Sequence, residues 1–278
     1  MNAAEALIQG ILQGLTEFLP VSSSGHISLI RHFMGITEGG MLFSVMLHIA
    51  TLVSVLVAFF PRIRELFFEF FRMIRDIFTG KFSYKNANPV RKMLLMMIIS
   101  LVPLWAVYPF TDYISSLAED ADIIVEGVCF IYTAVLMLIA DRSARRTTEP
   151  LKQAGPGRAL FIGCLQAIAV FPGISRSGST IGAGLISGVD REYMTEYSFI
   201  LSMPVILAAG ITETGDAIKE GVTIGVLPLA VGMISAAVVG FAAIKLLSMM
   251  IKNNKLWIFS VYLFLIGGFS VVSGICGL

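Results

Sequence analysis

The chain is poor in charge. Asp, Glu, Lys and Arg make up 14% of its 278 residues, where a soluble domain carries about 25%. With 56% hydrophobic residues and a mean hydropathy of +0.84, this excludes an ordinary soluble fold and indicates a polytopic membrane protein. The net charge of +1 singles out no charged partner, and no nucleic acid is expected. Cysteine is scarce as well. Cys129, Cys164 and Cys276 lie in apolar stretches without CxxC spacing, which excludes a disulfide framework and a cysteine metal site. They read as buried small hydrophobes. The N-terminus, MNAAEALIQG, lacks a basic region and carries Glu5, so the first segment is expected to stay in the mature protein.

What the chain does have is a polar stretch inside apolar sequence. QGLTEFLPVSSSGH, residues 13–26, holds Gln13, Glu17, Ser22, Ser23, Ser24 and His26. Such groups are expensive in hydrocarbon and mark functional sites. LQAIAVFPGISRSGST, residues 165–180, repeats the stretch at an offset of 153. Gln13 falls on Gln166, Ser22 on Ser175, Ser24 on Ser177 and Gly25 on Gly178. The chain is therefore read as an internal duplication: repeat 1 over 1–141, a basic cytoplasmic linker over 142–158 and repeat 2 over 159–278.

Each repeat opens on two apolar segments too short to span a bilayer, which needs about 20 residues. They are broken at Pro20 and at Pro172-Gly173. Re-entrant helical hairpins are expected over 3–33 and 159–189, since irregular backbone at that depth must be covered by protein or by a wet cavity. Spans are expected over 41–60, 93–110, 123–140, 197–211, 222–249 and 256–276, with bends at Pro103 and Pro204. Residues 61–92 begin with FPRIRELFFEFFRMIRDIF, an amphipathic helix for the membrane surface, and continue as a loop. Residues 212–221 are expected to form a loop, and 111–122 an acidic one.

Lys and Arg set the orientation. They concentrate in 62–92, in 142–158 and at Lys252 and Lys255, whereas 111–122 has none. The three basic regions are assigned to the cytoplasm and both termini to the outside. Three spans per repeat invert the second copy. The expected fold is thus an all-α polytopic membrane protein with an inverted-topology repeat, each half one re-entrant hairpin plus three transmembrane helices. Tips that meet near the midplane are a transporter-type arrangement.

The two tips have diverged. Gln13 and Glu17 share a helical face. The serines stand at a helix start, where free N–H groups favour an anion. His26 is spaced to reach back to Ser22 or Ser23. A serine, a histidine and a carboxylate are the components of nucleophile, base and orienting acid; they also serve simply as caps and packing. The second tip has Arg176 where the first has Ser23, and Ser179 where it has His26. A buried guanidinium needs a partner, either Glu17 as a structural ion pair or a bound phosphate, which its donors suit. Ser175, Ser177, Ser179 and Thr180 stand beside it. Phosphoryl transfer is the reading that uses both tips. His48, on the span over 41–60, reads as a structural interior histidine.

GLTEFLPVSSSGH and PGISRSGST resemble the two signature motifs of the bacterial undecaprenyl-diphosphatase family, also called bacitracin-resistance proteins. The resemblance covers essentially the whole chain. It implies a phosphatase that converts undecaprenyl diphosphate to undecaprenyl phosphate at the outer face of the bacterial cytoplasmic membrane. This activity recycles the lipid carrier for peptidoglycan and confers bacitracin resistance. By resemblance, Glu17, Ser23, His26 and Arg176 are catalytic, and Ser22, Ser24, Ser175, Ser177 and Thr180 line the substrate site. The family implies a divalent cation, Mg2+ or Ca2+. Members often carry Glu at the position of Gln13, so Glu17 is the one acid left in the motif to bind it. The nucleophile, Ser23, His26 or water, is left open, as is a homodimer. A polyprenyl-phosphate flippase is the alternative that the inverted repeat suggests.

Overall fold

The computed structural model describes residues 2–34, 41–111, 113–114, 123–219 and 225–276. Among these residues the secondary structure is helical apart from one isolated bridge between Leu151 and Val189. The helices are α1 (Ala3–Phe18), α2 (Ser23–Met34), α3 (Met41–Ala58), α4 (Phe60–Phe78), α5 (Pro89–Val107), α6 (Ile123–Arg146), α7 (Pro156–Ile168), α8 (Arg176–Ile186), α9 (Arg191–Lys219), α10 (Val226–Lys252) and α11 (Trp257–Cys276). Helices α5, α6, α9, α10 and α11 are long and apolar enough to cross a membrane, while α3 and α4 pass the same test only together, across a 93° bend. The chain is an α-helical, multi-pass membrane protein. Most of the expected acidic loop, 112 and 115–122, lies outside the described residues, as do 220–224.

Local chemistry explains the boundaries. A capping box starts α1: Asn2 Oδ1 accepts from the Glu5 amide and Glu5 Oε2 from the Asn2 amide, both at 2.9 Å. Pro20 then stops it. Helix α5 begins at Pro89, inside the expected loop, because Asn88 caps it (2.8 Å from the Arg91 amide) and Pro89 occupies its first position. Helix α6 runs past Ala140, and its last turn carries the Arg145–Asp141 pair at 2.6 Å. Helix α9 starts before Tyr197, at Arg191, since Asp190 Oδ1 accepts from the Tyr193 amide at 2.9 Å. It continues through 212–219, so the loop expected there is helix instead: an established helix adds one hydrogen bond per residue as it propagates. Of the cysteines, Cys129 is buried, but Cys164 and Cys276 are exposed. An apolar side chain on the outside of a membrane bundle faces lipid and loses nothing there.

Packing places the two short helix pairs at the centre. The buried face of α1 is unusual in carrying Gln9, Gln13, Thr16 and Glu17 beside Gly10 and Gly14. That face lies on α10, and α7 lies in the corresponding way on α5. Both contacts rely on a missing side chain. A Cβ at Gly10 would stand 2.4 Å from the Gly232 carbonyl oxygen, and one at Gly163, its equivalent at offset 153, would stand 2.4 Å from that of Ser100. Only glycine allows backbones this close. Helices α6 and α11 pair along their length, and α3 packs against both α9 and α10. The largest core cluster, around Phe18, Phe130, Phe199 and Leu247, backs the first break. A second, around Met96, Ile162 and Tyr197, backs α7 and α9.

On the basic side, α4 leaves α3 nearly at a right angle. Its Phe67, Phe68, Phe71 and Phe78 are exposed, and its buried Glu69 receives Arg91 Nε at 2.6 Å. Arg91 also reaches Asp76 at 2.8 Å, tying the end of α4 to the start of α5.

Candidate active site

The first break spans Leu19 to Ser22. Ser22 takes a left-handed φ of 69°, a conformation that costs a non-glycine residue about 1–2 kcal/mol. Its hydroxyl caps the next helix by accepting from the Gly25 amide at 3.3 Å. Ser175 repeats the cap, accepting from the Gly178 amide at 3.1 Å, but with an unstrained φ of −72°. The two breaks clasp each other. The Gly173 amide donates to Ser24 Oγ at 3.2 Å, and Ser177 Oγ donates to the Leu19 carbonyl at 3.1 Å.

Glu17 is the hub. Arg176 Nη2 donates to its Oε1 at 2.5 Å. Its Oε2 accepts from Ser23 Oγ at 2.9 Å and from Gln13 Nε2 at 2.9 Å. His48 Nε2 stands 3.5 Å from the same oxygen. The Glu17 side chain is only 4% exposed and that of Arg176 18%, so the pair is largely removed from solvent. Its charges are compensated by one another and by neutral donors, as burial demands.

These groups border a cavity of about 220 Å³. Its polar wall carries Glu17, Ser22, Ser23, Ser24, His48, Ser175 and Arg176. Its apolar lining comes from Val45 on α3 and from Val205, Ile206 and Ala209 on α9. Drug-sized ligands occupy pockets of about 300–1,000 Å³; this one suits a headgroup, with a long apolar tail left outside it. The helix starts at Ser23 and Arg176 both border the cavity, and a helix start favours an anion.

Three residues singled out by the sequence stand elsewhere. His26 is buried, with Nδ1 donating to the Ser22 carbonyl at 2.7 Å and Nε2 against the Tyr262 hydroxyl at 2.6 Å. Its ring stacks on Tyr262 (5.7 Å between centroids, 10° between planes) and does not border the cavity. Thr180 Oγ1 meets Ser198 Oγ at 2.5 Å and donates to the Arg176 carbonyl at 3.0 Å, so it fixes α8 against α9. Ser177 spends its hydroxyl on Leu19. His48, in contrast, was expected to be structural and lies on the cavity wall. No motif marks it; its only signal is a polar residue on a helix face shared with Ser44 and Thr51.

The divalent cation implied by resemblance finds a poor donor set. Among the described residues, Glu17 is the only carboxylate on the cavity wall, and both its oxygens already receive donors. Among the described residues, no three His, Cys, Asp or Glu side chains are grouped to hold a metal. Mg2+ and Ca2+ ask for six or more oxygen ligands. The residues present do not fit a cation held by the protein.

A bundle of apolar helices with a buried carboxylate, guanidinium and serine around a headgroup-sized cavity defines a polytopic membrane protein with an anion site of enzyme type. The chain belongs to the family described as bacitracin resistance protein BacA, whose model matches residues 6–269. An undecaprenyl-diphosphatase of Treponema denticola is 39% identical over 273 residues, covering 96% of each chain. One of Desulforapulum autotrophicum is 34% identical over 278 residues, 99% of each chain. One of Desulfatibacillum aliphaticivorans is 38% identical over 282 residues, 98% of this chain and 99% of the relative.

Proposed function

We propose that the protein is an undecaprenyl-diphosphate phosphatase, which releases the terminal phosphate of undecaprenyl diphosphate and returns undecaprenyl phosphate to peptidoglycan synthesis. The observation that carries this reading is Ser23 hydrogen-bonded to Glu17 and Glu17 to Arg176 in a cavity that apolar side chains also line. Consumption of the diphosphate lipid, which bacitracin sequesters, accounts for resistance.

In the mechanism we favour, the guanidinium of Arg176 and the amides at the starts of α2 and α8 hold the terminal phosphate and stabilise its equatorial oxygens. Ser23 Oγ attacks phosphorus as the anhydride P–O bond breaks, and its proton passes to Glu17 Oε2. Undecaprenyl phosphate leaves. Water then cleaves the phosphoserine, giving phosphate and restoring Ser23. Glu17 takes the base role because it touches Ser23, whereas His26 acts from behind by holding the Ser22 carbonyl. A cation, as the resemblance implies, would come on the diphosphate oxygens.

The architecture we infer is an inverted-topology repeat over 1–141 and 159–278, joined by 142–158, each half a re-entrant hairpin and three spans. The reciprocal packing of α1 on α10 and α7 on α5 supports it. We place the protein in the bacterial cytoplasmic membrane, with the basic segments on the cytoplasmic side and the cavity opening outward.

The test is phosphate release from a C55 diphosphate by the protein in detergent, which abolishes vectorial transport and leaves hydrolysis intact. Ser23→Ala is expected to lower kcat by at least about 10³-fold, and acid quenching to trap phosphate on Ser23. No release by the unaltered protein sinks the phosphatase; near-normal turnover of Ser23→Ala transfers the attack to water.

A further inference from the structure

We propose that α4 and the loop after it dock on anionic phospholipid of the cytoplasmic leaflet, with a stripe of phenylalanines in the acyl boundary and exposed cations on the lipid phosphates. The inference stands apart from the phosphatase reading.

The stripe is a matter of spacing. Phe60, Phe67, Phe71 and Phe78 follow one another at intervals of seven, four and seven residues, which places them on one side of a helix. Each is at least 53% exposed. At 1.5 Å per residue the stripe is about 27 Å long. Leu66, Glu69 and Met73 are the buried residues of α4, and Glu69 receives Arg91 from α5, so the stripe is not what packs α4 against the protein. An exposed apolar surface of this extent marks a contact with lipid or with another protein. Helix α4 does not itself cross the bilayer, since seven of its 19 residues are charged. The 93° bend after α3 lays it instead along the surface of the membrane that α3 crosses in the proposed architecture, which is the setting of an interfacial helix.

Charge selects the lipid. Residues 60–92 hold eight Lys and Arg against three Asp and Glu. The three acids already have partners: Arg62 donates to Glu65 at 2.7 Å, and Arg91 donates to Glu69 at 2.6 Å and to Asp76 at 2.8 Å. Arg64, Lys81 and Lys85 are exposed and make no ion pair among the described residues. Arg64 lies beside the stripe, with its guanidinium 5.8 Å from the centre of the Phe68 ring. Lys81 and Lys85 follow Phe78 in the loop. A basic segment beside the membrane attracts anionic headgroups. The same excess disfavours a second copy of the chain as the occupant, because stripe against stripe brings two positive rims together.

The test uses the full chain in phosphatidylcholine vesicles. Phe71→Trp, in a Trp105→Phe/Trp257→Phe background, reports from the stripe, and Phe78→Trp replaces it where the first variant does not fold. Its emission is quenched by lipid brominated on the acyl chains, supplied at equal mole fraction either as phosphatidylglycerol or as phosphatidylcholine. Both are expected to quench, with phosphatidylglycerol enriched at least about fivefold near the probe. Arg64→Gln/Lys81→Gln/Lys85→Gln is expected to reduce that enrichment to about twofold or less, as is high salt, while quenching by phosphatidylcholine persists. Absence of quenching by either lipid overturns the proposal, and a blue-shifted emission with it assigns the stripe to a protein contact. Equal quenching by the two lipids overturns the choice of an anionic partner. An enrichment that survives the triple substitution overturns the role given to these three cations.

Discussion

Glu17 and Arg176, 159 positions apart, meet at 2.5 Å where the two helix breaks close on each other. Among the described residues, the contact joins the only carboxylate of the cavity wall to its only guanidinium. Removal of one partner leaves the other buried and uncompensated, at a cost of about 3–5 kcal/mol. Glu17→Ala is therefore expected to melt well below the unaltered protein in detergent, and the double variant Glu17→Ala/Arg176→Ala to regain part of the difference. Additive losses would mean that the pair is not coupled.

Ser22 and Ser175 are equivalent in the duplication but differ in backbone. Ser22→Gly relieves a left-handed φ and gives up a cap that glycine replaces at a cost of a few tenths of a kcal/mol. It should raise stability by about 1 kcal/mol. Ser175→Gly has no strain to relieve and should lower it. Melting of the two variants side by side decides the matter, and equal shifts would refute the assignment of strain to Ser22.

His26 is expected to act through position. His26→Gln and Tyr262→Phe each remove one side of the 2.6 Å contact, for a loss of about 0.5–1.5 kcal/mol at a half-buried pair. Both should reduce stability and kcat together, without a changed acid or alkaline limb in the rate profile. A limb lost in His26→Gln alone would return His26 to proton transfer.

The apolar lining predicts where the lipid tail leaves. Ala209→Trp narrows the α9 side of the cavity, where the first apolar carbons would meet the headgroup, so KM for a C55 diphosphate should rise more than the Kd for pyrophosphate. Equal effects on both probes would place the tail elsewhere.

Outside the membrane, Arg91 and then Arg75 hold the Asp76 carboxyl below the usual carboxylate range, through hydrogen bonds. A depressed folded-state pKa contributes stability at neutral pH, and the contribution disappears as pH falls through that lowered value. Amide exchange in residues 76–91 should accelerate on acidification. Asp76→Asn should exchange faster at neutral pH and lose that part of the acid response.

Much of this site was legible because the duplication aligns Ser23 with Arg176 and isolates Glu17 as the acid. Three features were not. His26 was spaced for a serine hydroxyl, but the left-handed turn at Ser22 presents its carbonyl to the ring instead. Ser177 and Thr180 carry the right chemistry, yet contacts from Leu19 and Ser198 occupy them, and those partners lie far away in sequence. His48 belongs to a helix without a motif, and only packing brings it to Glu17. The helices themselves followed the apolar pattern; the starts at Pro89 and Arg191 were set by caps at Asn88 and Asp190, where a single side chain outweighs hydropathy, and α6 and α9 ran on past their expected ends into polar sequence.

The exchange of α1 onto α10 and α7 onto α5 has a consequence for how the chain comes into being. In the two-repeat architecture proposed above, each half would lend its first short helix to the other, as partners in a swapped dimer do, with 142–158 as the tether. The first half to be synthesised emerges with the polar face of α1 uncovered and waits for a partner still on the ribosome. Two separate polypeptides, cut within the tether and made together, should therefore assemble the complete cavity, and neither should build it alone.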